Sequence, residues 1–493
     1  MKTLIENGTL VLEDGPVCAD LLIVDEKIAA IGSREEIAAF IGRPSPAPAG
    51  GQSPENIGRP SSAPAGDLSP EGDVRIIDAK GLVVLPGGID PHTHFNIMTS
   101  VRSVDDFTSG TISAVFGGTT TIIDHMGFGP KGCNLHHQYE VYQEYTKGKC
   151  VADYGLHGVF QDIDDGILEE TASMVEEGLS SFKMYLTYDY RQDDENALRI
   201  LQRLGDLGGM TTVHCENHAI LTWLREKFAR EGKLSAKYHP LSRPPYCEAE
   251  AAGRMADLAL TAGDAPLYVV HVSAKETAER IREARLRGQK VYGETCPQYL
   301  VLDDSVYEDP AEGLKFIMSP PIRGKEHQEP LWEALRDGTL QVTATDHCSF
   351  DYRGDKQIGR ENFIICPNGA PGVELRMPVL FSEGVSKGRI DLTTFARVTS
   401  TNAAKLFGMY PEKGVLREGS DADIVLFDPE RRVKVTQQIL HDNCDYTPYE
   451  GMEITGWPVM TLIRGTVVVE NERLHVKPGF GQYLRRGKSI YEL

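Results

Sequence analysis

From Leu82 onward one pattern recurs eight times: a short apolar run, then a stretch with helical spacing and turn residues. The runs are Leu82–Pro86, Thr119–Asp124, Tyr154–Phe160, Ser181–Leu186, Thr211–His214, Leu267–His271, Val291–Glu294 and Leu340–Thr345, with helical segments such as Glu195–Leu207, Glu248–Ala262 and Lys275–Arg287 between them. Parallel strands need a crossover rather than a hairpin, so strand–helix alternation at this spacing specifies βα units. Eight of them fit a (β/α)8 TIM barrel, an α/β fold that gathers side chains from the C-terminal ends of its strands over one face.

The residues at those ends are chemically unusual. His92 and His94 in GGIDPHTHF, Lys183 in SSFKMYLTY, His214 in TTVHCEN, His271 in YVVHVS and Asp346 in VTATDHC fall at or just after the first, fourth, fifth, sixth and eighth runs. A lone His-x-His is weak, because alternate residues of any strand face the same way. Four imidazoles and a carboxylate on one barrel face are a donor set for two divalent ions, His92 and His94 on one and His214 and His271 on the other, and this set accepts Zn, Mn, Co or Ni. Asp346 would join the first ion and face a water held between the two, which ions about 3.5–4 Å apart make acidic. One carboxylate there can take the water proton as base and return it to a leaving nitrogen as acid. An ammonium at Lys183 would be repelled by two dications. A neutral amine that adds carbon dioxide instead becomes an anionic carbamate with two oxygens.

The segments PGGIDPHTHF, FKMYLTY, VHCEN, HVS, ETCPQYL, SPPIR, TATDHC and CPNGAPGVE occur in the order used by cyclic amidohydrolases, and the chain resembles the dihydropyrimidinase/hydantoinase branch over nearly its whole length. The resemblance implies a barrel joined to a small β-sandwich built from both chain termini, a carbamylated Lys183 bridging two metal ions, and a homotetramer. It implies that Tyr188 donates its hydroxyl to the oxyanion, and that Ser319 and Asn368 hold a cyclic diamide through main-chain groups. The implied reaction is hydrolysis of a cyclic amide, a 5-substituted hydantoin or a dihydropyrimidine, to the N-carbamoyl amino acid. Asn96, Met98 and Tyr185 are candidates to meet the exocyclic substituent. Allantoinase and dihydroorotase are the alternatives; the dihydroorotase pattern has an Arg shortly after His-x-His, where this chain has Phe95 and Asn96, which favours an uncharged substituent. A non-enzymatic scaffold of the same fold has no need for the complete ligand set.

His125, His157 and His347 read as structural histidines, and Cys215, Cys296 and Cys348 as small buried hydrophobes. Nine cysteines without a CxxC pair point to reduced thiols, and a formal charge of −21 argues against a nucleic-acid partner. The sequence has no apolar run long enough for a membrane span and no apolar signal-peptide core near Met1, which points to a cytoplasmic protein.

The organisation expected is residues 1–81 as the N-terminal part of the sandwich, 82–414 as the barrel and 415–493 as the C-terminal part of the sandwich with a tail. Inside the first part, Ile41–Asn56 and Ile57–Gly72 are a tandem duplication identical at 12 of 16 positions, rich in Pro, Gly, Ser and Ala. That composition cannot bury a core, so 41–72 reads as a solvated loop insertion. Deleting Ile57–Gly72 should therefore leave turnover and the thermal midpoint close to those of the parent, since shortening a loop changes closure entropy little. A change of assembly size on deletion, read by light scattering, would instead make the repeat an interface element.

Overall fold

The computed structural model describes residues 1–41 and 74–493, so the duplicated segment lies, but for its first residue, outside the described residues. Eight parallel strands follow one another in chain order: β1 (Gly88–Thr93), β2 (Thr119–His125), β3 (Asp153–Val159), β4 (Ser181–Tyr185), β5 (Met210–His214), β6 (Leu267–Val269), β7 (Val291–Thr295) and β8 (Val342–Thr343). Every residue of β1, β2, β3 and β5 is buried, as expected for strands covered by helices outside and packed side chains inside. The helix after β4 starts where the sequence supplies a cap. Asp193 accepts from the Asn196 N–H to open Asp194–Leu207, and Gly208, at φ 73°, ends it in the left-handed conformation that glycine tolerates.

The sheet closes on itself just beyond β8. Asp346 N–H donates to His92 O at 2.9 Å and His94 N–H to His347 O at 2.8 Å. Below them, Thr345 donates its backbone N–H to Asp90 Oδ1 at 3.2 Å and its hydroxyl to Oδ2 at 2.6 Å. The opposite end of the barrel is plugged by Ala403, Leu406 and Phe407, which pack with Ile89, Ile123 and Tyr268. The C-terminal tail adds a strand-like contact between Tyr483 and Tyr154, and Arg486 donates to Ser181 Oγ at 2.7 Å.

The run Leu82–Pro86 is not the first barrel strand. As Val83–Pro86 it pairs in parallel with Thr9–Leu12 and antiparallel with Ile424–Lys434, inside a seven-stranded sheet drawn from both ends of the chain. A four-stranded sheet of Lys27–Gly32, Asp20–Val24, Lys2–Glu6 and Val74–Asp78 accompanies it. Ile5, Leu10, Leu21, Val84, Ile424 and Leu462 share one core between the two sheets. The Gly-Gly step after Pro86 carries the chain from sandwich to barrel, and the space beside Gly87 is filled by the Thr120 side chain. The two parts are also tied by Lys413, whose Nζ lies 2.8 Å from Asp153 on β3 and 2.7 Å from Asp423 beside the sandwich strand. Among the described residues no helix is long and apolar enough to cross a membrane.

Thr345→Val keeps the shape of the side chain but removes the hydroxyl donor from a fully buried carboxylate. The expected cost is about 1–3 kcal/mol in chemical unfolding, the penalty for leaving a buried acceptor short of a partner. An unchanged midpoint would show that the backbone bonds alone hold the closing seam.

Candidate active site

His92 sits inside β1, and His94 follows it on the same face, both buried. Asp346 comes immediately after the closing seam, so the three are brought together by closure itself. Asp346 Oδ1 is 3.1 Å from His92 Nε2 and 3.2 Å from His94 Nε2, and the ligand atoms of the three form one compact group. From β5 and the end of β6, His214 Nδ1 and His271 Nε2 face each other at 2.9 Å. Lys183 projects from β4 and is almost wholly buried.

Carboxylates behind the histidines set which nitrogen faces inward. Glu294 on β7 contacts His92 Nδ1, accepts from the His271 N–H at 3.1 Å and accepts the Tyr268 hydroxyl at 2.9 Å. Glu216 Oε2 lies 2.7 Å from His214 Nε2 and is paired with the fully buried Arg243. Burial would raise the Glu216 carboxyl, but Arg243 above all draws it down to about 2. With these outer nitrogens engaged, His92 Nε2 and His214 Nδ1 turn toward the cavity, which is how a ligand histidine is normally oriented.

The electrostatics suit a cation. Burial lowers His94, His214 and His271, leaving neutral imidazoles with free lone pairs. Burial also lowers His92, as does Lys183, yet Glu294 and Asp346 raise it overall, a demand for positive charge that a proton or a metal ion can meet. Burial would raise Asp346, but His92 and His94 hold it well below the usual carboxylate range. Burial pushes the Lys183 amine down to about 8 against the pull of Asp346 and Glu294, so an appreciable neutral fraction exists near pH 7. His92 Nε2 and His271 Nδ1 are buried without a hydrogen bond. Clustered lone pairs, a carboxylate and few donors among them make a set that fits divalent ions.

Nine of the residues singled out in the sequence, as metal ligands, catalytic groups or ring-holding groups, line one cavity of about 720 Å³: His92, His94, Lys183, Tyr188, His214, His271, Ser319, Asp346 and Asn368. Ser319 Oγ donates to Asn368 Oδ1 at 2.7 Å, which ties the two loops together. The Tyr188 ring lies 5.2 Å from that of His214, with the Arg243 guanidinium 5.9 Å from its centroid. Met98 and Tyr185 line the cavity with Ile97, Phe128 and Ile365. Asn96 does not: its backbone carbonyl and its Oδ1 both accept from Arg102, at 2.8 and 3.1 Å, so it fastens its own loop.

Of the other histidines, His157 is held by Ser181 Oγ at 2.6 Å and Pro91 O at 2.9 Å, and His347 by Asp105 at 3.1 Å and two backbone N–H groups. His125 differs, since neither ring nitrogen has a hydrogen bond and the ring stacks on His157 at 4.1 Å. Cys215, Cys296 and Cys348 are buried, and burial pushes all three thiols up, away from nucleophilic thiolate. Sequence reasoning missed the orienting roles of Glu294 and Glu216, although both lie in quoted motifs, ETCPQYL and VHCEN. It also missed the left-handed backbone of Tyr188 (φ 73°), His271 (φ 42°) and Asp346 (φ 54°), a conformation that costs non-glycine residues energy and gathers at functional sites.

Residues 83–468 match the family model described as "Amidohydrolase family". The chain is 46% identical to D-phenylhydantoinase of Escherichia coli O1:K1 / APEC over 487 residues, which cover 99% of this chain and 98% of that one. It is similar in structure to dihydropyrimidinase from Brevibacillus agri NCHU1002, with a TM-score of 0.90, 43% identity and 99% of each chain covered. The L-hydantoinase (dihydropyrimidinase) from Arthrobacter aurescens superimposes with a TM-score of 0.83 at 31% identity, covering 98% of this chain and 99% of that one.

Glu294→Gln should weaken metal retention by about 10–100-fold, because the amide no longer orients His92 as the carboxylate does. Competition against a chromogenic chelator measures this, and unchanged affinity would remove Glu294 from the orienting role.

Proposed function

The chain belongs to the amidohydrolase family, and from that premise we propose that it opens a cyclic amide, a 5-substituted hydantoin or a dihydropyrimidine, to the N-carbamoyl amino acid. The single observation that carries this reading is the convergence of four histidines, Lys183, Asp346, Tyr188, Ser319 and Asn368 on one cavity. His92, His94 and Asp346 would hold one divalent ion, His214 and His271 a second, and a carbamylated Lys183 both. The identity of the relatives as hydantoinases and dihydropyrimidinases supports the substrate class. A homotetramer in the cytoplasm is the setting proposed from the family resemblance.

The carbamate forms when neutral Lys183 Nζ bonds to the carbon of carbon dioxide and releases one proton. Burial of the amine supports it, because the nucleophile is the neutral form. When bound, two divalent ions supply Lewis acidity that makes a water acidic and polarises an amide carbonyl. Ser319 and Asn368 orient the ring, whose paired N–H and C=O edges suit backbone recognition. Asp346 accepts the proton of the attacking water as its oxygen bonds to the carbonyl carbon. The Tyr188 hydroxyl donates to the oxyanion, a contribution worth a few kcal/mol in comparable sites. Asp346 then gives the proton to the ring nitrogen as the C–N bond breaks. The apolar wall of Ile97, Phe128 and Ile365 supports an uncharged or aromatic substituent next to the ring.

A hydrolysis panel of phenylhydantoin enantiomers, dihydrouracil, allantoin and dihydroorotate tests the reading; turnover confined to allantoin or dihydroorotate would replace it. Asp346→Asn should retain much of the metal and lose nearly all turnover, and near-normal activity in metal-loaded protein would exclude the proton role. Tyr188→Phe should lower kcat more than it raises KM, as expected of a bond that matters most in the transition state. For Lys183, intact mass under mild conditions should show the mass of one carbon dioxide, lost on acidification. Lys183→Ala should bind less than the full metal complement and be nearly inactive, with partial rescue by small carboxylic acids. A fully active Lys183→Ala protein holding two ions would overturn the bridging carbamate.

A further inference from the structure

One cation on the wall of the reaction cavity is given nothing to do by this chemistry. Arg225, on the helix His218–Arg230, lines the main cavity and also a second recess of about 440 Å³ that shares Tyr188, Asp189 and Ile364 with it. Its Nε is buried without a hydrogen-bond partner, and among the described residues its guanidinium has no ion pair. Neighbouring charges are accounted for differently. Arg243 is committed to Glu216, and Glu226, which also lines the recess, lies 3.6 Å from Arg230. Asp189 is exposed at the shared rim. Arg191 donates to Tyr188 O at 3.4 Å, and His218 lies between the hydroxyls of Thr187 and Thr222 at 3.2 and 3.4 Å.

We propose that Arg225, with the recess walled by Thr187, Arg191 and His218, forms a carboxylate-binding subsite opening directly off the reaction cavity. A partly desolvated guanidinium without a counter-ion is costly to keep, and its planar fork of donors matches a carboxylate in two-point contact. Burial, with Arg243 close by, lowers Arg225 only to about 10, so the group stays charged at neutral pH. The subsite rests on the cyclic-amide reading for its two sources of ligand: an acidic exocyclic substituent on the ring, or the carboxylate released when a neutral ring opens. The first widens the substrate range beyond what the absence of an Arg after His92 and His94 implies. The second gives the charged product a place to go that the neutral substrate does not compete for.

The test uses metal-loaded full-length protein, Arg225→Gln, and Arg225→Lys as the charge-conserving control. One arm compares 5-(2-carboxyethyl)hydantoin with the uncharged 5-(2-carbamoylethyl)hydantoin; the other measures binding of N-carbamoylphenylglycine and its uncharged amide by calorimetry. Arg225→Gln should reduce the preference for the charged over the uncharged ligand by tenfold or more in at least one arm, with Arg225→Lys restoring most of it. Loss in the first arm assigns the subsite to the substituent, and loss in the second to the product. Equal effects on charged and uncharged ligands in both arms, or none, would overturn the proposal. Failure of the parent protein to hydrolyse either ring, with Arg225-dependent carboxylate binding intact, would sink the cyclic-amide reading and leave the subsite standing.

Discussion

Between β1 and the residues that follow β8 the barrel closes along a short seam, and the two-point bond from Thr345 to Asp90 is buried within it. Everything above that bond depends on it. The same seam sets Asp346 N–H on His92 O and His94 N–H on His347 O, so the register of closure decides whether the side chains of His92, His94 and Asp346 meet. A slip of one residue would turn alternate side chains to the opposite face of the strand. Placing Asp90 two residues before His92, and Thr345 next to Asp346, makes fold closure and site assembly one event.

The second constraint is orientation. An imidazole can present either nitrogen, and a site built from four of them needs each choice made beforehand. Glu294 makes it for His92 and Glu216 for His214, and each carboxylate is itself anchored, by the Tyr268 hydroxyl and by Arg243. Buried carboxylates of this kind cost desolvation energy, so they persist where partners offset it. Left-handed backbone at His271 and Asp346 belongs to the same scheme, since a strand that simply continued would aim those side chains elsewhere.

The barrel and the gathering of the site's side chains on one cavity were legible in the sequence because both are written locally: strand-like runs at regular spacing, and rare side chains at their ends. What it concealed was pairing between distant segments. Leu82–Pro86 has the composition of a barrel strand, but its partners are Thr9–Leu12 and Ile424–Lys434, which no local pattern identifies. Asn96 sits one residue beyond Phe95 in a site motif, yet it folds back on Arg102 because the loop needs closing. His125 looked like a satisfied structural histidine and is instead buried without a polar partner, against the rings of His157 and His92.

Arg225 illustrates the same gap at the level of chemistry. Directly after His92 and His94 stand Phe95 and Asn96 in place of an arginine, and Arg102 further along that loop is committed to Asn96. In space, Arg225 on the helix after β5 reaches the same cavity beside Tyr188. Apolar walls at Ile97, Phe128 and Ile365 and a cation at Arg225 line one cavity, and a carboxylate subsite at Arg225 would give its regions different affinities. Opening a neutral ring turns an amide into a carboxylate, so the reaction itself changes which region its ligand prefers. A site arranged this way would hold a neutral ring by its edges and draw the charged product toward the cation.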